Sequence, residues 1–348
     1  MTETTVQRYD TSNMKRILGD FPKHIEDAVR LGKAAKIPFK ATAIRNVVVT
    51  GLGGSAIGGD LLRSYTAGEI AVPFAVNRHY VLPECVKKDS LVIVSSYSGD
   101  TEETIAAYLD ARKRKAMSMA ITSGGETERM AKKFSQPIIK IPKGFPPRTA
   151  LAYSFFPMLI ALTKMKLISS KDSDIAETIA LLKKKAKIYE SLDNYNPALE
   201  LAKQLYNKLV IVYSSCDTLD AVNLRWRGQI AENAKQLAFG HVLPEMNHNE
   251  LVGWKGLQRI MSEMAVVFLR DKDDHERVQT RMKITKGIVS EFANRVIEVP
   301  SEGRSSLARI FSLIYLGDWT SYYLALLNGV DPTPVRIIDY LKWELGKT

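Results

Sequence analysis

Apolar and polar positions along this chain follow two alternating periods. Short runs rich in aliphatic residues recur at Asn46–Thr50, Phe74–Asn77, Leu91–Ser95, Ser118–Thr122 and Pro137–Ile141. They are too short for helices and too uniformly apolar for half-exposed strands, so they predict strands buried on both faces. Between them the period changes to a helical one. A helix is expected from near Ser55 to just before Gly68, another over Thr101–Arg112 and a third through Lys133. The second opens on Thr101-Glu-Glu-Thr104, with the acidic first turn that a helix N-terminus favours. Strands alternating with helices of ten or more residues predict a parallel sheet with helices on both faces. Upstream, residues 9–38 show helical spacing and predict an N-terminal arm.

The pattern then breaks at Pro142–Pro147 and begins again. A long apolar helix is expected from Arg148 to about Lys166, and a connecting helix from Ile175 to about Asn194. Helix Ala198–Asn207 leads into strand Lys208–Tyr213 and Ser214-Ser215, which repeats the design of Arg45–Thr50 and its small-residue turn. Helix Leu219–Gln236, strand Ala265–Arg270, helix His275–Phe292, strand Arg295–Val299 and helix Leu307–Leu327 follow, with a terminal helix over Val335–Leu345. The fold expected is α/β, two tandem three-layer sandwiches, each a parallel sheet flanked by helices. Its expected segments are a helical arm over 1–40, a first sandwich over 41–168, a second over 190–330, and a C-terminal helix over 331–348 that closes the site.

Composition narrows the class without naming a chemistry. A chain of 348 residues, 45% hydrophobic and 25% charged, suits about two ordinary globular domains. No run approaches the ~18 uninterrupted apolar residues of a membrane span, and the first ten residues have no apolar leader core. The expected setting is the cytoplasm, away from membranes. The two cysteines, Cys85 and Cys216, are expected to be buried thiols, and no Cys/His spacing suits zinc. The net charge of +11 raises the question of nucleic acid. Its densest runs, Arg112–Lys115 and Lys183–Lys185, lack interleaved aromatics and fit helix ends and surfaces, so no nucleic-acid partner is expected.

Candidate chemistry clusters at two strand-to-helix turns. Gly51-Leu-Gly-Gly-Ser-Ala56 follows a strand and formally satisfies a dinucleotide fingerprint. That motif also asks for an acidic residue at the end of the second strand, where this chain has Asn77-Arg78. Arg78 could suit a 2′-phosphate, which leaves an NADP-binding oxidoreductase open. Alternatively, Gly54 and Ser55 offer backbone and hydroxyl donors to a smaller ligand. Ser96-Tyr-Ser-Gly-Asp-Thr101 is more informative. Capping a helix accounts for one hydroxyl, whereas Ser96, Ser98 and Thr101 supply three, beside the free N–H groups of a helix start. That combination points to a phosphate.

Taken in order, Gly51–Asp60, Ser96–Thr104, Pro147-Arg-Thr-Ala-Leu151, Ala231-Glu-Asn-Ala-Lys235 and Pro244-Glu-Met-Asn-His-Asn-Glu-Leu251 resemble the bifunctional phosphoglucose/phosphomannose isomerases, two-domain members of the sugar isomerase (SIS) superfamily. The resemblance implies that Ser96, Ser98 and Thr101 hold the substrate phosphate, with Gly54 and Ser55 lining the same pocket. It implies Glu232 as the base, Arg148 beside the developing enediolate, and His248 as the group that opens the sugar ring, contributed from the partner subunit of a homodimer. Lys342 matches an assisting C-terminal lysine, and Thr333 a threonine associated with accepting both epimers. No cofactor and no metal are implied.

These residue types suit the reaction. Moving a carbonyl between C1 and C2 needs one base that takes a proton from one carbon and returns it to the other. The enediolate needs a fixed cation, and ring opening needs an acid/base near neutral pH. A non-catalytic sugar-phosphate sensor on the same domains is an alternative, beside the NADP-binding oxidoreductase. The arrangement expected is a hydroxyl-lined anion cradle from the first half facing a carboxylate from the second.

Overall fold

A computed structural model describes residues 1–347. Its helices are α1 (Glu3–Tyr9), α2 (Met14–Gly19), α3 (Phe21–Ala34), α4 (Gly53–Thr66), α5 (Glu102–Lys113), α6 (Gly125–Lys133), α7 (Leu151–Lys164), α8 (Asp172–Tyr189), α9 (Pro197–Leu205), α10 (Asp220–Ala234), α11 (Gln258–Met261), α12 (Glu276–Ser290), α13 (Ser306–Leu327) and α14 (Arg336–Leu345). Its strands are β1 (Asn46–Thr50), β2 (Phe74–Asn77), β3 (Ser90–Ser96), β4 (Met117–Thr122), β5 (Ile138–Lys140), β6 (Leu209–Ser215), β7 (Ala238–Leu243), β8 (Met264–Arg270) and β9 (Arg295–Pro300).

The strands form two sheets, ordered β2-β1-β3-β4-β5 and β7-β6-β8-β9, and every pairing is parallel. The first strand of each sheet's sequence lies between its second and third, so one βαβ plan is used twice. Parallel strands need helical crossovers that cover both faces, and the interior strands are accordingly sealed. Val47, Val48 and Val49 of β1, Leu91–Val94 of β3 and Ala265–Leu269 of β8 are at most 1% exposed.

The chain divides into two compact units. One holds Asp20–Leu181 and Gly303–Ala308 and contains the β1–β5 sheet; the other holds Met1–Gly19, Leu182–Glu302 and everything described from Arg309 on, and contains the β6–β9 sheet. These bounds differ from the segments expected of the sequence. The residue 1–40 arm is divided, α1 and α2 going with the β6–β9 unit and α3 with the β1–β5 unit, and the boundaries fall within α8 and α13.

Within the β6–β9 unit, Trp319 stacks on Tyr323 and meets Tyr315 and Tyr322 edge-on. Arg225 of α10 reaches Asp318 of α13 through two hydrogen bonds of 3.1 and 2.7 Å, with Gln229 adding a third at 3.0 Å. All three residues are buried, so this charged pair is a structural element of the core. The apolar helix α13 is long enough to cross a membrane, but 89% of its apolar window is buried inside the protein.

Three members of the basic runs are held by neighbours. Arg112 lies over the Phe134 ring, Arg114 binds Asp110 and the carbonyls of Leu82 and Pro83, and Lys185 pairs with Glu302. Cys85 is exposed rather than buried and Cys216 is half-buried, which corrects the expectation of two buried thiols; burial and the adjacent Asp217 raise the Cys216 thiol. Cys85 lies in the loop before β3, where Leu82 and Val86 take the buried positions and Cys85 faces solvent.

Two carboxylates in the β1–β5 unit make its stability acid-dependent. Burial favours the neutral form of Glu69, but Lys171 and the Ser169 N–H, both 2.5 Å away, outweigh it and bring its pKa from 4.5 to about 2. Lys132 and Lys140 bring Glu128 to the same range. A carboxyl depressed on folding stabilises above its unfolded pKa and loses that contribution as pH falls through the folded one. Thermal melts should therefore show stability falling between about pH 5 and pH 2, with a shallower fall in Glu69→Gln. An unchanged slope in that variant would remove Glu69 from the account.

Candidate functional site

In the β1–β5 unit the hydroxyl turn forms where β3 ends. Ser96 is buried, and its Oγ accepts the Gly99 N–H at 3.1 Å, closing the turn, while donating to Thr101 Oγ1 at 3.4 Å. Ser98 and Thr101 hydroxyls lie 3.5 Å apart. Thr101 occupies the N-cap of α5, yet its side chain makes no capping bond. Its hydroxyl faces Ser96 and Ser98, so the simple capping explanation does not account for it. Asp100, the one acid within the turn, directs its carboxylate to the Glu126 N–H at 2.8 Å.

The neighbouring turn, after β1, locks onto this one. Helix α4 begins at Gly53, two residues before the expected start, and the buried Ser55 Oγ accepts the Tyr97 N–H at 3.1 Å. Tyr97 OH in turn accepts the Phe145 N–H at 2.8 Å, tying the hydroxyl turn to the segment before Arg148. Gly54 is required by close approach, since a Cβ there would stand 2.5 Å from Pro147 O and 3.3 Å from Arg148 Cα. Ser154 of α7 donates to Gly54 O at 3.1 Å. Arg148 itself lies in a short 3-10 turn, Pro147–Thr149, ahead of α7, and is 4% exposed. Thus Gly54, Ser55, Ser96, Ser98, Thr101 and the Arg148 backbone come together in one unit.

In the β6–β9 unit, Glu232 stands two residues before the end of α10, half-buried. It lines a cavity of about 600 Å³ together with Lys235, Asp331 and Arg336 and the apolar Leu237, Val330 and Ile337. Thr333 lies in the segment beside that cavity, its N–H donating to Asp331 Oδ1 at 2.8 Å. His248 ends the 3-10 turn Glu245–His248 and is exposed, outside the cavity lining. Its loop is fixed on both sides. Met246 is buried, Asn247 Nδ2 donates to Thr285 Oγ1 at 2.8 Å, and Glu250 accepts from Tyr213 OH, which also accepts the Trp254 indole N–H at 3.1 Å. Burial and Glu250 push the Tyr213 phenol far up. Lys342 is exposed on α14, also outside the cavity lining.

The sequence gives no warning of what occupies the second copy of the phosphate turn. The end of β8 corresponds to the end of β3, and there Asp271, Asp273 and Asp274 replace the hydroxyls. Arg309 binds Asp271 at 2.9 Å and also engages Asp273, while Ser301 and the Asp273 N–H complete the Asp271 shell. Burial pushes the Asp271 carboxyl up, but Arg309 and those donors hold it below the usual range. Asp274, buried and hydrogen-bonded by Ser215 at 2.5 Å, is raised. This turn presents carboxylates, already engaged by Arg309, where the first presents hydroxyls.

The dinucleotide alternative loses its cation, since Arg78 forms an ion pair with Asp60 of α4. Among the described residues, no group of three or more His, Cys, Asp or Glu is arranged to hold a metal ion.

Known proteins resemble this chain over most of its length. Residues 194–345 match the family model described as the bacterial phospho-glucose isomerase C-terminal SIS domain. A bifunctional phosphoglucose/phosphomannose isomerase from Caldicellulosiruptor bescii is 45% identical over 330 residues, 94% of this chain and 97% of its own. The protein of the same name from Aquifex aeolicus is 36% identical over 88% of this chain and 92% of its own. A solved structure of a putative phosphosugar isomerase from Clostridium difficile 630 shares the fold at a TM-score of 0.72, with 14% identity, covering 94% of this chain and 97% of that one. With a hydroxyl-lined turn on one sheet, a carboxylate and histidine segment on the other, and relatives alike over nearly their whole length, the chain belongs to the bifunctional phosphoglucose/phosphomannose isomerase family.

Proposed function

We propose that this chain interconverts glucose 6-phosphate and mannose 6-phosphate with fructose 6-phosphate by proton transfer through a cis-enediol. The observation that carries the reading is the hydroxyl turn: Thr101 occupies a helix cap without capping, beside Ser96 and Ser98, in a chain 45% identical to an enzyme of that name. Ser96, Ser98 and Thr101 hold the phosphate, and Gly54 and Ser55 line the same pocket. Once the ring has opened, with His248 moving the proton, the Glu232 carboxylate takes the proton from C2 of the aldose. The C1 carbonyl oxygen takes up the proton that the C2 hydroxyl gives up, directly or by way of solvent, and Glu232 returns its own proton to C1 as the C2 oxygen becomes the carbonyl. The exchange is redox-neutral, so it calls for no external oxidant. Arg148 stabilises the enediolate charge, as a group that stays ionised throughout. Lys342 assists, and Thr333 is assigned to the acceptance of both epimers.

The working form is a homodimer in which His248 acts in the partner's site. Its support is that His248 is exposed on a fixed loop, close in sequence to Val252 and Leu257, which are 75% and 76% exposed. The setting is the cytoplasm, with α13 a core helix.

Thr101→Val keeps the side-chain shape and removes the hydroxyl, so KM for both 6-phosphates should rise about ten- to a hundredfold, the effect of one hydrogen bond to a charged group. A KM unchanged for both would take Thr101 out of the phosphate seat. Glu232→Gln should lower kcat at least about a thousandfold while calorimetric titration still shows fructose 6-phosphate binding. Near-normal turnover in that variant, measured with chelator present, would refute the mechanism.

Mixing Glu232→Gln with His248→Ala, each inactive alone, tests the shared site. Statistical exchange gives half heterodimers with one intact site each, so activity should recover to about a quarter of wild type. No recovery after subunit exchange, verified by mass spectrometry, would place His248 in its own subunit's site.

A further inference from the structure

Helix α10 ends at Ala234, and the next residue, Lys235, adopts φ 55° and ψ 35°. This left-handed position after a helix usually belongs to glycine, because an L side chain is strained there. The turn swings the lysine back over its own helix, where Nζ donates to Glu232 O at 2.5 Å and reaches Asn233 O at 3.4 Å. A cation on the last carbonyls of a helix is ordinary. The third contact is not: Nζ also donates to Pro332 O at 3.2 Å, in the segment Asp331-Pro-Thr-Pro334. Asn328 reinforces that junction, its Nδ2 donating to Ala234 O and to Gln236 Oε1, each at 3.0 Å. Asp331 stiffens the segment from within, accepting the Thr333 N–H and the Thr11 hydroxyl. The cavity that Glu232 lines is walled by this same segment and by Lys235.

We infer that Lys235 is a positioning residue for the proposed isomerisation, on which this assignment rests. It clamps the 331–334 segment, Thr333 included, against the helix end that carries Glu232, and so fixes the walls between which the proton moves. The left-handed position alone is no mark of this role, since Lys115, Ser135, Lys166 and Asn207 hold it after other helices; what sets Lys235 apart is the reach of its Nζ to Pro332 O. That contact joins two parts of the lining of one cavity.

The test compares wild type with Lys235→Gly, Lys235→Met and Lys235→Arg in the full chain. Lys235→Gly relaxes the left-handed backbone, so its Tm should hold or rise. Its kcat should nevertheless fall about ten- to a hundredfold, the cost of small misplacement in a positioned site, with KM changed less than about threefold. Hydrogen exchange over residues 330–336 should quicken, and Lys235→Arg should recover most of kcat. A kcat in Lys235→Gly within about twofold of wild type would overturn the assignment. So would unchanged exchange over 330–336, or kcat and Tm falling together in all three variants. A wild type without isomerase activity would refute the functional reading instead, and the exchange result would then decide the tether by itself.

Discussion

The proposed anion seat depends on a hydroxyl that makes no capping bond to its own helix. At the start of α5 a threonine would ordinarily bond an N–H of its own helix, closing the helix end to any ligand. Here Thr101 turns toward Ser96 and Ser98, and the turn is closed by other means: the Ser96 hydroxyl on the Gly99 N–H and Ser55 on the Tyr97 N–H. The helix start keeps its donors and its positive dipole end, and the hydroxyls add to them. The elements around the turn hold that arrangement in place. Strands β1 and β3, almost fully buried, fix both turns, and Gly54 lets the Pro147–Arg148 backbone close against them.

The β6–β9 unit repeats the topology and inverts the electrostatics. Where β3 ends in hydroxyls, β8 ends in Asp271, Asp273 and Asp274 around a buried Arg309. A carboxylate cluster neutralised from inside has no vacancy for an anion, so the repeat is specialised to other work. The side chains assigned to proton transfer, Glu232 and His248, belong to this unit. Phosphate binding and acid–base chemistry are thus assigned to separate copies of one scaffold, with the fold supplying strand ends and the local residues supplying the charge.

The buried strands β1, β3, β4, β6 and β8 were legible because continuous apolar runs admit little else. Strand β7 was missed. Ala238-Phe-Gly-His-Val-Leu243 has a glycine in its interior, which weakens a strand signal, and only the structure supplies the reason: a Cβ at Gly240 would stand 2.1 Å from Val212 O of β6. Helix α1 was missed too, since a seven-residue polar helix with one buried side chain, Val6, has almost no periodicity to detect. Among site residues, the hydroxyl turn could be argued from composition and position. Glu232 and His248 could not, because a half-exposed glutamate and a loop histidine look the same in any helix and any loop. They emerged only from resemblance. Lys235 escaped altogether, since its left-handed backbone and its reach to Pro332 are consequences of tertiary structure.

The role proposed for His248 calls for holding and acting to be separated within one loop. Residues on either side of the histidine are anchored inward, Met246 in the core, Asn247 on α12, and Glu250 on the buried Tyr213. A mobile histidine would lose most of the benefit of positioned acid–base catalysis, and a buried one could not reach a sugar ring. Anchoring the neighbours and exposing the imidazole satisfies both demands. The exposed Val252 and Leu257 that follow would be a cost in an isolated subunit, and become an advantage when a second copy covers them. On this reasoning the proposed dimer is part of the chemistry: the surface that associates is the one that presents the ring-opening group.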